Sequence, residues 1–432
     1  MINTLSDCGK CQVVSHSQVN TWISCPARWW YRYHLGVQPA PPTPLPMTWG
    51  SMMHEALEQL CKSGGDPAMV HQEVVTKWMG DWAGDAREAA LDPNNHYSEQ
   101  RMEQDWLLAT ELSDTAMHAL LRYPVQHLHD PIDIHANEAP FLVRMRDARG
   151  HPMAHLGYLG ILDGLVEDSV GDLLLLERKT TSERHLHQYQ LKLDADPQVG
   201  GYGTCMGWLS GINLNRILYD TVRRKRPSIP KMVGAGTEKK PYKFSKAGCD
   251  TSIHEATQVL DAVLRRAAQE GHHVDEPTCR DYLQALPGDE AFMQRFRYTV
   301  SSHQAEAWRS TVVTVARAMR AAQRDPSLVY RNTGQCERYG CAYKALCFAN
   351  TPQELVAQDF LDNGMVPKAA NRMMLDHRHP VLVEPGVDWS WMAGGSGQPL
   401  NTTTWQEMIN RGDVTALADG PAPDTIPMAW PE

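Results

Sequence analysis

The period of the apolar positions changes along the chain. From about Gly50, Met53, Leu57, Leu60 and Cys61 recur at helical spacing and give one apolar face. A second helical block spans roughly 98–123, with Leu107, Leu108, Leu112 and Leu120 among its apolar residues. The period then drops to two: Phe141, Val143 and Met145 alternate with Leu142, Arg144 and Arg146, as on a half-buried strand. HLGYLGILDGLVED (155–168) and DLLLLERKTT (172–181) follow and read as a hairpin across Ser169-Val170-Gly171. RILYDTVRR (216–224) is a further strand. Between hairpin and strand, Asp196-Pro197 opens a helix, with Asp as N-cap and Pro in the first turn.

This order of helix, three strands, helix and strand predicts an α/β fold with a central sheet flanked by helices. Residues 1–20 read as a flexible N-terminus, and 21–35 as a dense aromatic and basic segment. Pro39 to Pro46 reads as a loop, because repeated prolines propagate neither helix nor ladder. Residues 227–330 read as a mostly helical, polar insertion, with amphipathic stretches near 252–270 and 301–324. Beyond 350, Gly, Pro, Thr and scattered tryptophans predict a small appendage to which no chemistry is assigned.

The composition is that of a globular protein: 42% apolar and 21% charged in 432 residues. No run approaches the roughly 20 apolar residues of a membrane span. The polar N-terminus lacks the apolar region of a signal peptide, so a cytoplasmic location is expected. Ten cysteines in such a compartment read as reduced thiols or metal ligands. A net charge of −10 argues against indiscriminate nucleic-acid binding. It does not exclude DNA as a substrate, since a local basic groove or a divalent ion supplies positive charge where it is needed.

The candidate chemistry lies on the hairpin. Glu177 and Lys179 are two apart on a strand and face the same way, with Arg178 on the other face. The proposed pairing sets Asp163 beside Glu177. Two close carboxylates and a lysine suit a hard ion such as Mg²⁺ or Mn²⁺. Such an ion neutralises phosphodiester charge and activates water, and the lysine orients that water and stabilises charge in the transition state. The bland alternative is a pair of strand-end acids with a salt-bridge lysine, and Glu-x-Lys alone is a weak signal. His54, on the first helix, is by itself an ordinary helical histidine. Gln198 and Tyr202 share one face of the helix opened by Asp196. Gly200 and Gly201 between them allow a backbone or a nucleic-acid strand to approach closely.

Cys336, Cys341 and Cys347 form C-x4-C-x5-C, a local excess that reads as one metal centre needing a fourth ligand. Cys25 is the best candidate, and the Cys8–Cys11 pair competes with it. Zn²⁺ and an iron–sulfur cluster both remain open from spacing alone. Cys61, Cys205, Cys249 and Cys279 read as isolated core or surface residues.

In order, Cys25-Pro26 with Trp29, Trp30 and Tyr31, Gly50 with His54, Gly160 with Asp163-Gly164, Glu177-x-Lys179-Thr180, Gln198 with Tyr202, and the three late cysteines resemble one pattern. It is that of the RecB-like iron–sulfur branch of the PD-(D/E)XK nucleases. That branch includes the nuclease part of the AddB subunit, CRISPR adaptation exonucleases and phage exonucleases. The likeness covers about residues 18–350, and its first late cysteine spacing is longer than in the relatives. It implies a restriction-endonuclease-like core at 21–350, with a cluster-binding segment at 336–347. It also implies a Mg- or Mn-dependent deoxyribonuclease. His54, Asp163 and Glu177 would be metal ligands, Lys179 the catalytic lysine, and Gln198 and Tyr202 DNA contacts. A 4Fe–4S cluster would sit on Cys25, Cys336, Cys341 and Cys347, tying together segments more than 300 residues apart.

Arg223 to Arg226 and Lys239, Lys240, Lys243 and Lys246 are basic clusters that read as solvated surface or, near a nuclease site, as phosphate contacts. Trp29, Trp30 and Tyr31 could stack bases, although the core claims at least two of them. By analogy with the relatives, the expected substrate is DNA with ends or single strands, in recombination, repair or phage DNA processing, with a helicase or recombination partner. The rivals are a catalytically silent DNA-binding or assembly protein on the same fold, and a zinc-stabilised protein of unrelated activity.

Overall fold

The computed structural model describes residues 12–349 apart from 41, 64–65, 93–96, 193–195, 213, 246 and 339–340, and then 365–367, 380–385 and 401–411. Its centre is an eight-stranded mixed sheet. The strands in chain order are β1 (Gln12–Ser15), β3 (Ile132–Arg146), β4 (Pro152–Asp168), β5 (Leu173–Thr181), β6 (Arg216–Arg223), β9 (Met293–Thr299), β11 (Val381–Val383) and β12 (Thr402–Thr403). Among the described residues two smaller pairs accompany the sheet: β2 (Val37–Pro39) with β10 (Met365–Pro367), and β7 (Met232–Val233) with β8 (Lys243–Phe244). The helices that matter below are α1 (His16–Ser24), α2 (Leu45–Ser63), α3 (Glu99–Gln126), α4 (Pro197–Ser210), α5 (Ile253–Glu270), α6 (Glu276–Gln284) and α7 (Ser302–Arg324).

Side order in the sheet is β12-β11-β3-β4-β5-β6-β9, with β1 also on β4. β4 and β5 form the expected antiparallel hairpin, with Gly164 opposite Leu176 and Glu167 opposite Leu173. Its turn is held by Asp168, whose Oδ1 accepts from the amides of Val170 and Asp172. The pairing stops at Gly164, and β4 then takes a new neighbour: Leu156 to Leu159 pair in parallel with β1. Between these two stretches, β4 residues 160–163 face a fork in the sheet.

Alternation along the strands separates two cores. On one face Leu165, Leu175, Ile217 and Tyr219 pack beneath α4, α7 and α1. On the other, Val222 and Met293 pack with Trp49, Met52, Met53 and Leu57 of α2 and Leu112 and Leu120 of α3. The leucine run of β5 is shared, since Leu174 and Leu176 join Val166 and Leu218. Each such buried leucine contributes about 1.5–3 kcal/mol. Trp29, Trp30 and Tyr31 all lie within the first core, so none is available to stack on bases.

Several expectations need correction. Residues 12–20 are not loose: β1 enters the sheet, and Ser15 caps α1 by accepting from the Gln18 amide. Residues 1–11, including Cys8 and Cys11, lie outside the described residues. α2 begins at Leu45, inside the Pro-rich stretch, because a proline in the first turn forfeits no helical hydrogen bond. The region 227–330 contains helices and also β9, an outer strand of the main sheet, antiparallel to β6. A separate small core of Phe244, Ala256, Leu260 and Cys279 joins β8, α5 and α6. Beyond 350, β11 extends the sheet beside β3, and Glu384 bonds Arg144 Nε at 3.2 Å. No described helix is long and apolar enough to cross a membrane.

Candidate active site

The fork between β4 and β5 gathers the candidate residues. Asp163 is the first β4 residue beyond the hairpin ladder, and its Oδ2 accepts from the Arg178 amide at 2.7 Å. The carboxylate thus takes a backbone donor that a continued ladder would have used, and it stays fixed where the strands part. Glu177 lies across the fork, and Lys179, two residues along the same face, donates through Nζ to Glu177 Oε1. Lys179 Nζ also donates to Gln198 Oε1 at 2.9 Å. Gln198 is placed by its own helix start: Asp196 caps α4, accepting from the Gln198 amide at 2.9 Å, and Pro197 occupies the first turn.

His54 reaches the site from α2. That helix crosses the end of β5, with Gly50 against Thr180, and one turn later His54 Nδ1 stands 3.7 Å from Asp163 Oδ2. A fourth acid completes the group. Asn137 and Ala139 of β3 pair with Gly164 and Leu162, so Glu138 between them opposes Asp163. Glu138 has φ of +45°, the one non-glycine residue at positive φ among those described. His54, Glu138 and Asp163 offer ligand atoms that all lie within 4.8 Å of one another. Glu138 was missed in the sequence because its strand was started at Phe141. Three more residues of the same antiparallel ladder would have set it opposite Asp163.

The electrostatics are those of an acid cluster short of positive charge. Burial, the Asp163 charge and that of Glu58 push Glu138 up to about 8. Burial, with Asp163 next to it, pushes Glu177 up to about 7. Burial also raises Asp163, against the pull of Lys179 and the Arg178 amide. Burial works to lower Lys179, but Glu177 and Asp163 outweigh it and hold the lysine well above its ordinary range. His54 falls to about 4, through burial and the nearby Arg178 charge, and is a neutral imidazole at pH 7. Carboxylate oxygens with one neutral imidazole are the donor set of a hard or borderline divalent cation. Burial and mutual repulsion raise the carboxyls, and a divalent cation among their oxygens would favour the ionised forms. The residues therefore fit a divalent metal.

The other expected site residues fall elsewhere. Tyr202 is buried, its ring edge-on to Phe141 at 5.2 Å. Gly160 permits this, for a Cβ there would meet Phe141 Cζ at 2.4 Å. The close approach at Gly201 is made by Trp308 of α7, whose Nε1 would lie 2.4 Å from an added Cβ. The four cysteines converge from both ends of the matched region without forming a tight ligand set. Asn332 bridges two of them: its amide donates to Cys25 Sγ at 3.5 Å, and its carbonyl accepts from Cys336 Sγ at 3.8 Å. Burial, with Cys25 and Cys341 nearby, pushes the Cys347 thiol up to about 11. Yet among the described residues, only His54, Glu138 and Asp163 bring three His, Cys, Asp or Glu ligand atoms within 4.8 Å of one another.

No curated protein matches the chain at a significant level. A family model, the PD-(D/E)XK nuclease superfamily, matches residues 13–348. That span runs from β1 to the last of the late cysteines and contains the fork with all its acids. The chain belongs to the PD-(D/E)XK nuclease superfamily.

Proposed function

We propose that the protein is a metal-dependent deoxyribonuclease that hydrolyses phosphodiester bonds at DNA ends or in single strands. The observation that carries this reading is the meeting of His54, Glu138, Asp163, Glu177 and Lys179 in one fork. His54, Asp163, Glu177 and Glu138 would hold Mg²⁺ or Mn²⁺. When bound, such an ion supplies Lewis-acid charge at the phosphodiester. The chain's own residues do the rest. Asp163 is locked by the Arg178 amide, so it meets a ligand without reorganising. Lys179 is held cationic, and Gln198 aims it toward the reacting phosphate and the attacking water. Tyr202 backs this arrangement from the core, through its ring contact with Phe141 rather than by touching DNA.

At Cys25, Cys336, Cys341 and Cys347 we propose a 4Fe–4S cluster, as in the RecB-like branch. One observation supports it: thiols from positions 25 and 336 meet on one asparagine. Its role is to tie position 25 to the 336–347 segment, not redox chemistry. Iron and acid-labile sulfide analysis with a visible absorbance band tests it, and stoichiometric zinc without iron rejects it.

The nuclease reading is tested on end-labelled DNA with Mg²⁺ or Mn²⁺. The wild-type protein should release short products, and Lys179→Ala should lose about 10²–10³-fold. Equal activity in both proteins overturns the assignment of this site, and no activity in the wild type favours the silent DNA-binding protein.

A further inference from the structure

Residues 223–246 carry nine of the chain's 41 basic residues and one acid, Glu238, in a chain whose net charge is −10. The segment starts at the catalytic end of the sheet. β6 runs parallel to β5, with Lys179 opposite Thr221 and Thr181 opposite Arg223, and the Arg224 amide donates to the Thr181 carbonyl at 2.8 Å. Arg223 is buried and spends its charge on Asp250, with Nη2 to Oδ2 at 2.7 Å, and Lys225 Nζ joins the same carboxylate at 3.4 Å. These pairs pin the root of the segment.

Its outer part is different. β7 and β8 form a hairpin whose apex is closed by paired backbone bonds between Thr237 and Lys240. Lys231, Lys239 and Lys240 are exposed, and none makes an ion pair among the described residues. The hairpin stands on the small core of Phe244, Ala256, Leu260 and Cys279, and Tyr242 fastens it through backbone bonds with His273 and Asp275. It is therefore a braced arm that keeps its cations exposed, carried by the segment that begins two residues beyond Lys179's own strand neighbour, Thr221.

We propose that the β7–β8 arm binds the phosphate backbone of the DNA strand as it passes the catalytic end of the sheet, away from the scissile bond. This rests on the nuclease reading for the position of the cleavage site. The unpaired lysines neutralise phosphates without reading bases, so the contribution is electrostatic and independent of sequence.

The test uses the full chain and the triple variant Lys231→Ala/Lys239→Ala/Lys240→Ala, with all three changes at exposed sites. Binding of a single-stranded 30-mer and a hexamer is measured with Ca²⁺ in place of Mg²⁺ over a salt series, and cleavage of both with Mn²⁺. The 30-mer should bind about 10-fold more weakly, with a salt slope shallower by about 2, and the hexamer should be cleaved at the wild-type rate. Unchanged affinity and slope for the 30-mer overturn the inference. Equal losses for both lengths also overturn it, since the lysines would then act at the cleavage site. A wild-type protein that binds with the expected slope yet cleaves neither strand sinks the nuclease reading and leaves the arm standing.

Discussion

Two groups of charged side chains lie at adjacent positions of β5, where Glu177 and Lys179 point one way and Arg178 the other. The first group, at the fork, gathers Glu138, Asp163 and Glu177, with Lys179 as their cation. In the second, Asp220 lies between Arg178 and Arg295 in the ladder, opposite the first in β5 and the second in β9. Asp220 is fully buried, accepts from Tyr123 Oη, and has Arg295 Nε at 3.7 Å. Both groups bury carboxylates in a low-dielectric interior. The second surrounds one acid with two guanidiniums and a phenol. The first sets three acids and a histidine around one ammonium, with the Arg178 guanidinium acting on it as well. Burial alone does not mark a functional acid; an acid cluster lacking its counter-charge does.

The comparison breaks most readily at Asp220. Asp220→Asn leaves two buried guanidiniums facing a neutral amide and should cost about 3–5 kcal/mol of stability. Asp163→Asn removes charge from an over-acidic cluster and should cost the metal-free protein far less. Urea unfolding of the two variants decides it, and equal midpoints would erase the distinction between the groups. The ranking reverses in cleavage. Asp163→Asn and Glu177→Gln should each lose about 10²–10³-fold on end-labelled DNA, while Asp220→Asn should retain activity in proportion to its folded fraction.

The first group was partly legible in the sequence, and the reason is local. The hairpin register follows from the leucine run and a short turn, so Asp163 beside Glu177 and Lys179 needed only period-two alternation. The helix opened by Asp196-Pro197, and hence Gln198, needed only cap chemistry. What depended on distant pairing was missed. β1 is four residues long and pairs with β4 across more than 140 residues of chain. β9, MQRFRYT, is half-exposed and sits among helices, so its pattern did not separate from theirs. Glu138 lies beyond a register shift between Ile134 and Ala136 and just before Pro140, both of which blur the alternation that would have extended its strand. The second group rests wholly on β6, β9 and α3 meeting in space, and no spacing in the sequence announced it.

The pH dependence sharpens the contrast further. Glu138 and Glu177 have folded values raised to about 8 and about 7 from an ordinary 4.5. A carboxyl raised on folding favours the native state while protonated, fully below its unfolded value, and that contribution is lost as pH rises through the folded value. The metal-free protein should therefore lose stability between about pH 4.5 and 8, and Glu177→Gln should regain on the order of 2 kcal/mol at pH 8. Denaturant midpoints across this window, with and without Mn²⁺, test it; saturating metal should flatten the decline in the wild type. A wild-type profile that rises from pH 5 to 8 without metal would contradict the acid excess.

The smallest effect is also the most direct measure of that excess. At pH 7, Glu138 with its value near 8 is mostly protonated, and Glu177 near 7 is about half so. A cation bound among these oxygens must displace those protons, because only the ionised carboxylates are effective ligands. His54, lowered to about 4, is already neutral and gives up nothing. Metal binding at pH 7 should thus release between about one and two protons, and affinity should weaken as pH falls from 7 toward 5 through the carboxyls rather than the histidine. Titration calorimetry in two buffers of different ionisation enthalpy reads the proton count directly. Glu138→Gln should lower it, whereas His127→Gln, in the second group beside Asp220, should leave it unchanged. Release of no protons at pH 7 would mean that the acids of the fork are already balanced, and the two groups would then differ in arrangement but not in charge.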